Sequence, residues 1–95
     1  MFNIFIDKMG NNELSKLPNI GKTLAQKLVL AEITTPEQLA ELGSENAFIR
    51  IKTIDETACY NMLCALEGAI QGIRWHNLDA ERKAQLKEFF VIANK

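Results

Sequence analysis

The stretch Thr57-Ala58-Cys59-Tyr60-Asn61-Met62-Leu63-Cys64-Ala65-Leu66-Glu67-Gly68-Ala69-Ile70-Gln71-Gly72-Ile73 decides the fold. Met62, Leu63, Leu66, Ala69, Ile70 and Ile73 recur at steps of three and four, which on a helix makes one broad apolar stripe. A stripe of that width suits a central helix with neighbours on several sides. Gly68 and Gly72 are four apart and share one side, where a neighbouring helix can come close. Cys59 and Cys64 fall in the same predicted helix, five apart and on different sides, a poor geometry for a bridge. They read as small buried hydrophobes in a reducing compartment, so a cytoplasmic location is expected. Glu67 is the one charge in the middle of the stripe helix. It either faces solvent or pairs with Arg50 or Arg74 at a helix junction, and such a pair has an uncertain net stability.

Working outward, the same helical period continues on both sides. Toward the C-terminus, Asn77 or Asp79 caps a last helix whose buried side is Leu78, Leu86, Phe89, Phe90 and Ala93. Its Glu81, Arg82, Lys83, Lys87 and Glu88 mix both signs, the pattern of a solvated face. Toward the N-terminus, Ser44 caps a helix through Ala47, Phe48 and Ile51, with Glu45 in its first turn. Thr35-Pro36-Glu37-Gln38 starts another: Thr35 caps, Pro36 fits the first turn and Gln38 closes a capping box. Leu39, Ala40 and Leu42 are its buried side and Gly43 its stop. Ile33 and Ile54 sit in connections as expected core plugs. Leu24, Ala25, Leu28 and Val29 define a helix from Lys22 to about Ala31, preceded by a short one at Glu13 to Leu17. The class is all-α with five to six helices: a helix-hairpin-helix-like N-terminal half, then two longer packed helices. Residues 13–95 form the helical domain. Residues 1–12 form an N-terminal arm whose apolar Met1-Phe2-Asn3-Ile4-Phe5-Ile6 packs on the core or on a second copy.

The totals exclude whole classes. Ninety-five residues, 47% hydrophobic and 24% charged, make one ordinary globular domain rather than a disordered chain. A net charge of −1 gives no broad electrostatic footprint for nucleic acid or an acidic membrane. No apolar run reaches the ~18 residues of a membrane span.

The turn Leu17-Pro18-Asn19-Ile20-Gly21 needs closer reading. Pro18 pushes Leu17 away from helical angles, and Asn19 is the best non-glycine residue for a left-handed position. Leu17, Gly21 and Ala25 recur 22 positions later as Leu39, Gly43 and Ala47, each unit reading helix, tight turn, helix. The first unit, Leu-Pro-Asn-Ile-Gly-Lys-Thr-Leu-Ala, resembles a helix-hairpin-helix, in which helix-start amides face a nucleic-acid phosphate. Asn19, Gly21, Lys22, Lys16 and Lys27 are therefore the phosphate-binding candidates. Asn19 stands where the usual Gly-hydrophobic-Gly turn has its first glycine. In the second unit Glu37, Glu41 and Glu45 repel phosphate. Two or three phosphate contacts, each worth a salt slope of about −0.9, give weak DNA binding at best. The alternative is a compact turn with a structural role alone.

With the blocks Leu-Gly-Ser-Glu-Asn-Ala-Phe, Cys-Tyr-Asn-Met-Leu-Cys-Ala-Leu-Glu-Gly-Ala-Ile-Gln-Gly and Arg-Trp-His-Asn-Leu added, the chain resembles the C-terminal domain of the TfoX (Sxy) competence regulators over roughly Leu14 to Phe90. The resemblance implies a helical, bacterial domain related to helix-hairpin-helix proteins and linked to competence, DNA transformation and their transcriptional control. It supplies no catalytic site. The separate N-terminal domain that often precedes it in the family is absent from these residues, as in a stand-alone copy.

Enzyme chemistry finds little footing. His76 is the one histidine, beside Trp75, and a nucleophile needs a base within hydrogen-bonding reach. One histidine and two cysteines five apart make no zinc site. Gly21-Lys22-Thr23 echoes a phosphate loop, but Lys16 occupies the position of its first glycine and no strand precedes it. No catalytic residue, metal or cofactor is expected. Two readings stand: a non-catalytic regulatory domain that binds a protein partner or itself through an apolar helix face, and a weak, sequence-independent DNA-binding module.

Overall fold

The computed structural model describes residues 13–95. The arm assigned to residues 1–12 lies outside the described residues. Five α-helices follow one another: α1 Lys22–Leu30, α2 Pro36–Leu42, α3 Ser44–Ile54, α4 Tyr60–Gln71 and α5 Ala80–Ala93, with a 3₁₀ turn at Trp75–Asn77. No strand occurs among the described residues. Ahead of α1, one turn is closed by the Lys16 amide on the Glu13 carbonyl and the Leu17 amide on that of Leu14.

Helix α4 is the central element. Every residue from Leu63 to Ala69 is buried, and α4 packs against α2, α3, α5 and the 3₁₀ turn. Around it Leu14, Leu28, Ile33, Leu39, Phe48, Ile51 and Leu86 are fully or almost fully buried. Phe90 joins α5 to this core through ring contacts at 5.9 Å with both Phe48 and Tyr60. The capping signals act largely as read. The Thr35 hydroxyl accepts from the Gln38 amide and Asp79 accepts from the Arg82 amide. The return half of the capping box is shifted by one residue, because Gln38 Oε1 accepts from the Thr34 amide.

Several expectations need correction, each for a local reason. Helix α4 begins at Tyr60, so Cys59 is not inside it: it is the exposed residue preceding the helix, while Cys64 is buried. Ser44 does not cap α3. Gly43 holds that position, and the Ser44 hydroxyl donates instead to Glu67 Oε1 at 2.6 Å. Glu67 is buried and paired, but with Arg82 at 3.1 Å rather than Arg50 or Arg74. Gln71 supplies a third donor at 2.6 Å. Burial pushes the Glu67 carboxyl up, but the Arg82, Ser44 and Gln71 donors outweigh it and hold it at about 2. Arg82, read as part of a solvated face, thus ties α5 to α4, and it reaches Glu45 of α3 at 3.4 Å.

The two glycines of α4 do different jobs, and neither admits a helix. A Cβ on Gly68 would lie 2.5 Å from Asn19 Nδ2, 2.8 Å from the Ile73 carbonyl and 3.2 Å from Trp75 Cα. What approaches there is the Asn19 turn and the chain leaving α4. Gly72 is the left-handed stop of α4, at φ 76°. Ile54 and Ala40, both read as buried, are exposed.

Candidate functional site

The hairpin forms as its sequence suggests. Asn19 adopts φ 70°, and Gly21 precedes α1 with its carbonyl accepting from Ala25 at 3.0 Å. The 22-residue echo is structural too: Gly43 precedes α3 and accepts from Ala47 at 3.0 Å, and Ala25 and Ala47 are both wholly buried. The two turns differ at their glycines. Gly43 sits at φ 89°, where a side chain is strained. Gly21 has an ordinary extended conformation, and a Cβ there would meet nothing within 4 Å. Conformation does not demand glycine at position 21. Its effect is to leave the first turn of α1 uncovered, and no side chain caps that turn.

The five phosphate-binding candidates separate into two groups. Lys16, Gly21 and Lys22 are exposed around the turn. Asn19 and Lys27 are engaged internally. Asn19 Nδ2 donates to the Ile73 carbonyl at 2.9 Å and, at 3.4 Å, to that of Ala65, while its Oδ1 accepts from the Trp75 amide at 3.0 Å. The residue read as a hairpin substitution is thus a clamp between the hairpin and the exit from α4. Lys27 Nζ lies 2.5 Å from Asp55 Oδ2. That contact, with Thr57 donating from its hydroxyl and amide, holds the Asp55 carboxyl at about 2. The clamp also brings Arg74 and the stacked pair Trp75–His76, ring centroids 4.2 Å apart, next to the hairpin. Sequence separation of more than fifty residues conceals that juxtaposition.

A second surface lies on the far end of α1, and no motif announces it. Leu30 is 72% exposed and Ile54 is 51% exposed. With Ala31, Glu32, Arg50 and Thr53 they line a groove between the ends of α1 and α3. Glu32 adopts φ 67°, a left-handed conformation that costs a non-glycine residue roughly 1–2 kcal/mol. The Glu32 amide donates to Val29 and the Ile33 amide to Leu28, at 2.9 and 2.8 Å, so the turn is a fully bonded helix stop. Arg50 reaches the Ala31 carbonyl at 3.5 Å, and it and Glu32 also line a second groove with Ile33, Gln38, Glu41 and Leu42. The sequence signal for this surface is indirect: Leu30 and Ile54 are apolar residues at helix ends, outside the buried stripes.

The cavities are shallow. The grooves hold about 270 and 280 Å³, just under the ~300–1,000 Å³ of a small-molecule pocket. Among the described residues no group of three His, Cys, Asp or Glu is placed to hold a metal ion, and no helix is long and apolar enough to cross a membrane.

Solved structures similar to this chain include two crystal forms from Listeria monocytogenes. A triclinic crystal form of an uncharacterized protein from Listeria monocytogenes is 52% identical, with a TM-score of 0.84 over 85% of this chain and 92% of that one. A tetragonal form of a Listeria monocytogenes protein of unknown function is also 52% identical, with a TM-score of 0.83 over 84% of this chain and 98% of that one. No curated protein matches the chain. The family model of the TfoX C-terminal domain matches residues 10–90, nearly all of the helical region built up above. On that match the chain belongs to the TfoX C-terminal domain family.

Proposed function

We propose that this chain is a non-catalytic regulatory domain that binds a protein partner in the bacterial cytoplasm, as part of the control of competence and DNA transformation. The observation that carries the binding mode is the α1–α3 end, where Leu30 and Ile54 stand exposed beside the left-handed Glu32. Exposed apolar side chains grouped on one groove favour a protein partner. Glu32 itself forms the stop of α1, a place where glycine would cost less, and its side chain stands at the rim of this groove. Arg50 and Glu32 at the rim supply charges of both signs for orientation. Family membership supports the regulatory part of the reading. The non-catalytic part draws on the setting of the reactive groups: His76 stacks on Trp75 at the 3₁₀ turn, Cys64 is buried within α4, and the exposed Cys59 precedes that helix.

Complementation tests this directly. In a bacterium lacking its own copy, the wild-type chain is expected to restore transformation. A Leu30→Asp/Ile54→Asp variant, which removes no buried side chain, is expected to fold normally and fail. Full complementation by that variant refutes the binding face, and normal transformation in the deletion strain refutes the competence link.

A second reading has one observation in its favour. The uncapped first turn of α1, opened by Gly21 and flanked by Lys16 and Lys22, suits a phosphate. With Asn19 and Lys27 engaged elsewhere, the remaining contacts give weak, salt-sensitive binding. Titration of a fluorescent duplex at low and near-physiological salt, beside Lys22→Glu, separates the readings. Salt-sensitive binding lost in the variant makes this a DNA module, and no binding at low salt leaves the hairpin structural.

A further inference from the structure

We infer that the α1–α3 groove takes a second copy of this chain, paired about a two-fold axis. The inference rests on the reading of that groove as a protein-binding surface and names its partner. Leu30 and Ile54 stand 72% and 51% exposed there. The same groove carries one side chain of each sign, Glu32 and Arg50, both exposed. Both also line the neighbouring groove, so the two charges belong to one stretch of surface. Yet neither forms an ion pair among the described residues. Arg50 uses one donor on the Ala31 carbonyl, at 3.5 Å, out of the five that a guanidinium offers.

Charge and symmetry select this occupant. A partner of one sign would satisfy Glu32 or Arg50 and repel the other. A second copy carries both signs at the same spacing, so no foreign sequence has to match it. About a two-fold axis, Glu32 of one copy meets Arg50 of the other, and the contact occurs twice. Leu30 and Ile54 of the two copies then meet between these pairs, which gives the apolar middle and charged rim of a protein interface. The two parts act differently. Exposed ion pairs contribute little by themselves, so the apolar middle drives association and the reciprocal pairs fix its register. Glu41, the further carboxylate of the neighbouring groove, adds to the attraction for the incoming guanidinium. The grooves are small, at about 270 and 280 Å³. Such a contact belongs with the smaller interfaces, with a dissociation constant on the order of 10–100 μM. Lys22 lies at the opposite end of α1, so the pairing leaves the hairpin of each copy uncovered.

Sedimentation equilibrium of the full chain, from about 5 μM to about 1 mM, brackets that constant. The wild-type chain is expected to pass from its 10.7 kDa monomer to twice that mass as concentration rises. Leu30→Asp, at an exposed position, should weaken association about tenfold or more. Glu32→Arg and Arg50→Glu should each do the same alone, because like charges then meet twice. Mixed in equal amounts, the two variants should associate as strongly as the wild type, since each charge again finds its opposite. Neither misfolding nor contact through another face gives that rescue. A chain monomeric throughout, association indifferent to both reversals, or no rescue in the mixture overturns the inference. Its failure is distinct from that of the functional reading. A monomeric chain whose Leu30→Asp/Ile54→Asp variant still fails to complement has a different protein on this groove, which overturns the inference alone. A dimer that the same variant breaks without loss of transformation upholds the inference and refutes the functional reading.

Discussion

Helices α1 and α4 end in the same backbone pattern, one on a glutamate and the other on a glycine. In α1 the Glu32 and Ile33 amides return to Val29 and Leu28; in α4 the Gly72 and Ile73 amides return to Ala69 and Gly68. The turn residues have nearly the same φ, 67° and 76°. Yet the surroundings are opposite. The end of α4 is gripped by Asn19, which bonds the Ile73 carbonyl and the Trp75 amide, and both of its glycines are used. The end of α1 is open, with Leu30 projecting into solvent beside a residue that strains the turn. One end is built for stability. The other carries a glutamate where glycine would cost less.

The comparison can be broken most forcefully at α4. Gly68→Ala sets a methyl group 2.8 Å from the Ile73 carbonyl and inside the reach of Asn19. It is expected to cost about 3 kcal/mol in urea unfolding, near the top of the range for overpacking. Acid attacks the same helix. Glu67 is held at about 2 against an ordinary 4.5, so its stabilisation is present above pH ~4.5 and lost as pH falls toward 2. Roughly 2 kcal/mol should disappear across that window, a figure reduced for the partial exposure of Arg82. Unfolding of Glu67→Gln followed against pH should show a flattened dependence. Asp55→Asn, which frees Lys27, removes a smaller part over the narrower window from pH ~3.8 to 2, because that carboxyl is held at about 2 from 3.8 and is more open to solvent.

The two stop residues themselves give the smaller and more informative effects. Gly72→Ala should cost about 1 kcal/mol, the penalty of a Cβ in the left-handed region, since nothing obstructs the methyl. Glu32→Gly should do the reverse and stabilise by about 0.5–1 kcal/mol, because glycine is the favoured residue at this position. If the glutamate serves the α1–α3 surface, the same variant should bind the partner more weakly while melting higher. A more stable chain with unchanged binding would make Glu32 incidental to that surface.

Much of the fold can be read from periodicity and caps. The α4 stripe, the Thr35 cap, the Gly43 stop and the Asp79 cap are local signals, and they act where they stand. What escapes such reading depends on contacts distant in sequence. The choice among Arg50, Arg74 and Arg82 as the partner of Glu67 is set by how α5 lies across α4, which no spacing reveals. The conversion of Asn19 from hairpin residue to clamp depends on Ile73 and Trp75, more than fifty positions away. Ile54 and Ala40 read as core residues because they are apolar, and apolarity is a one-way guide to burial. Both lie outside, and each borders a groove. Glu32 gives no warning at all, since glutamate carries no turn signal in sequence.

The most direct test of the central claim is photo-cross-linking in living cells from two positions, a benzophenone amino acid at residue 30 and, separately, at residue 22. A protein adduct of fixed size from residue 30, removed by Ile54→Asp and absent from residue 22, is the predicted result. Adducts that form from residue 22 and not from residue 30, whether to protein or nucleic acid, would place the working surface at the hairpin and contradict the account.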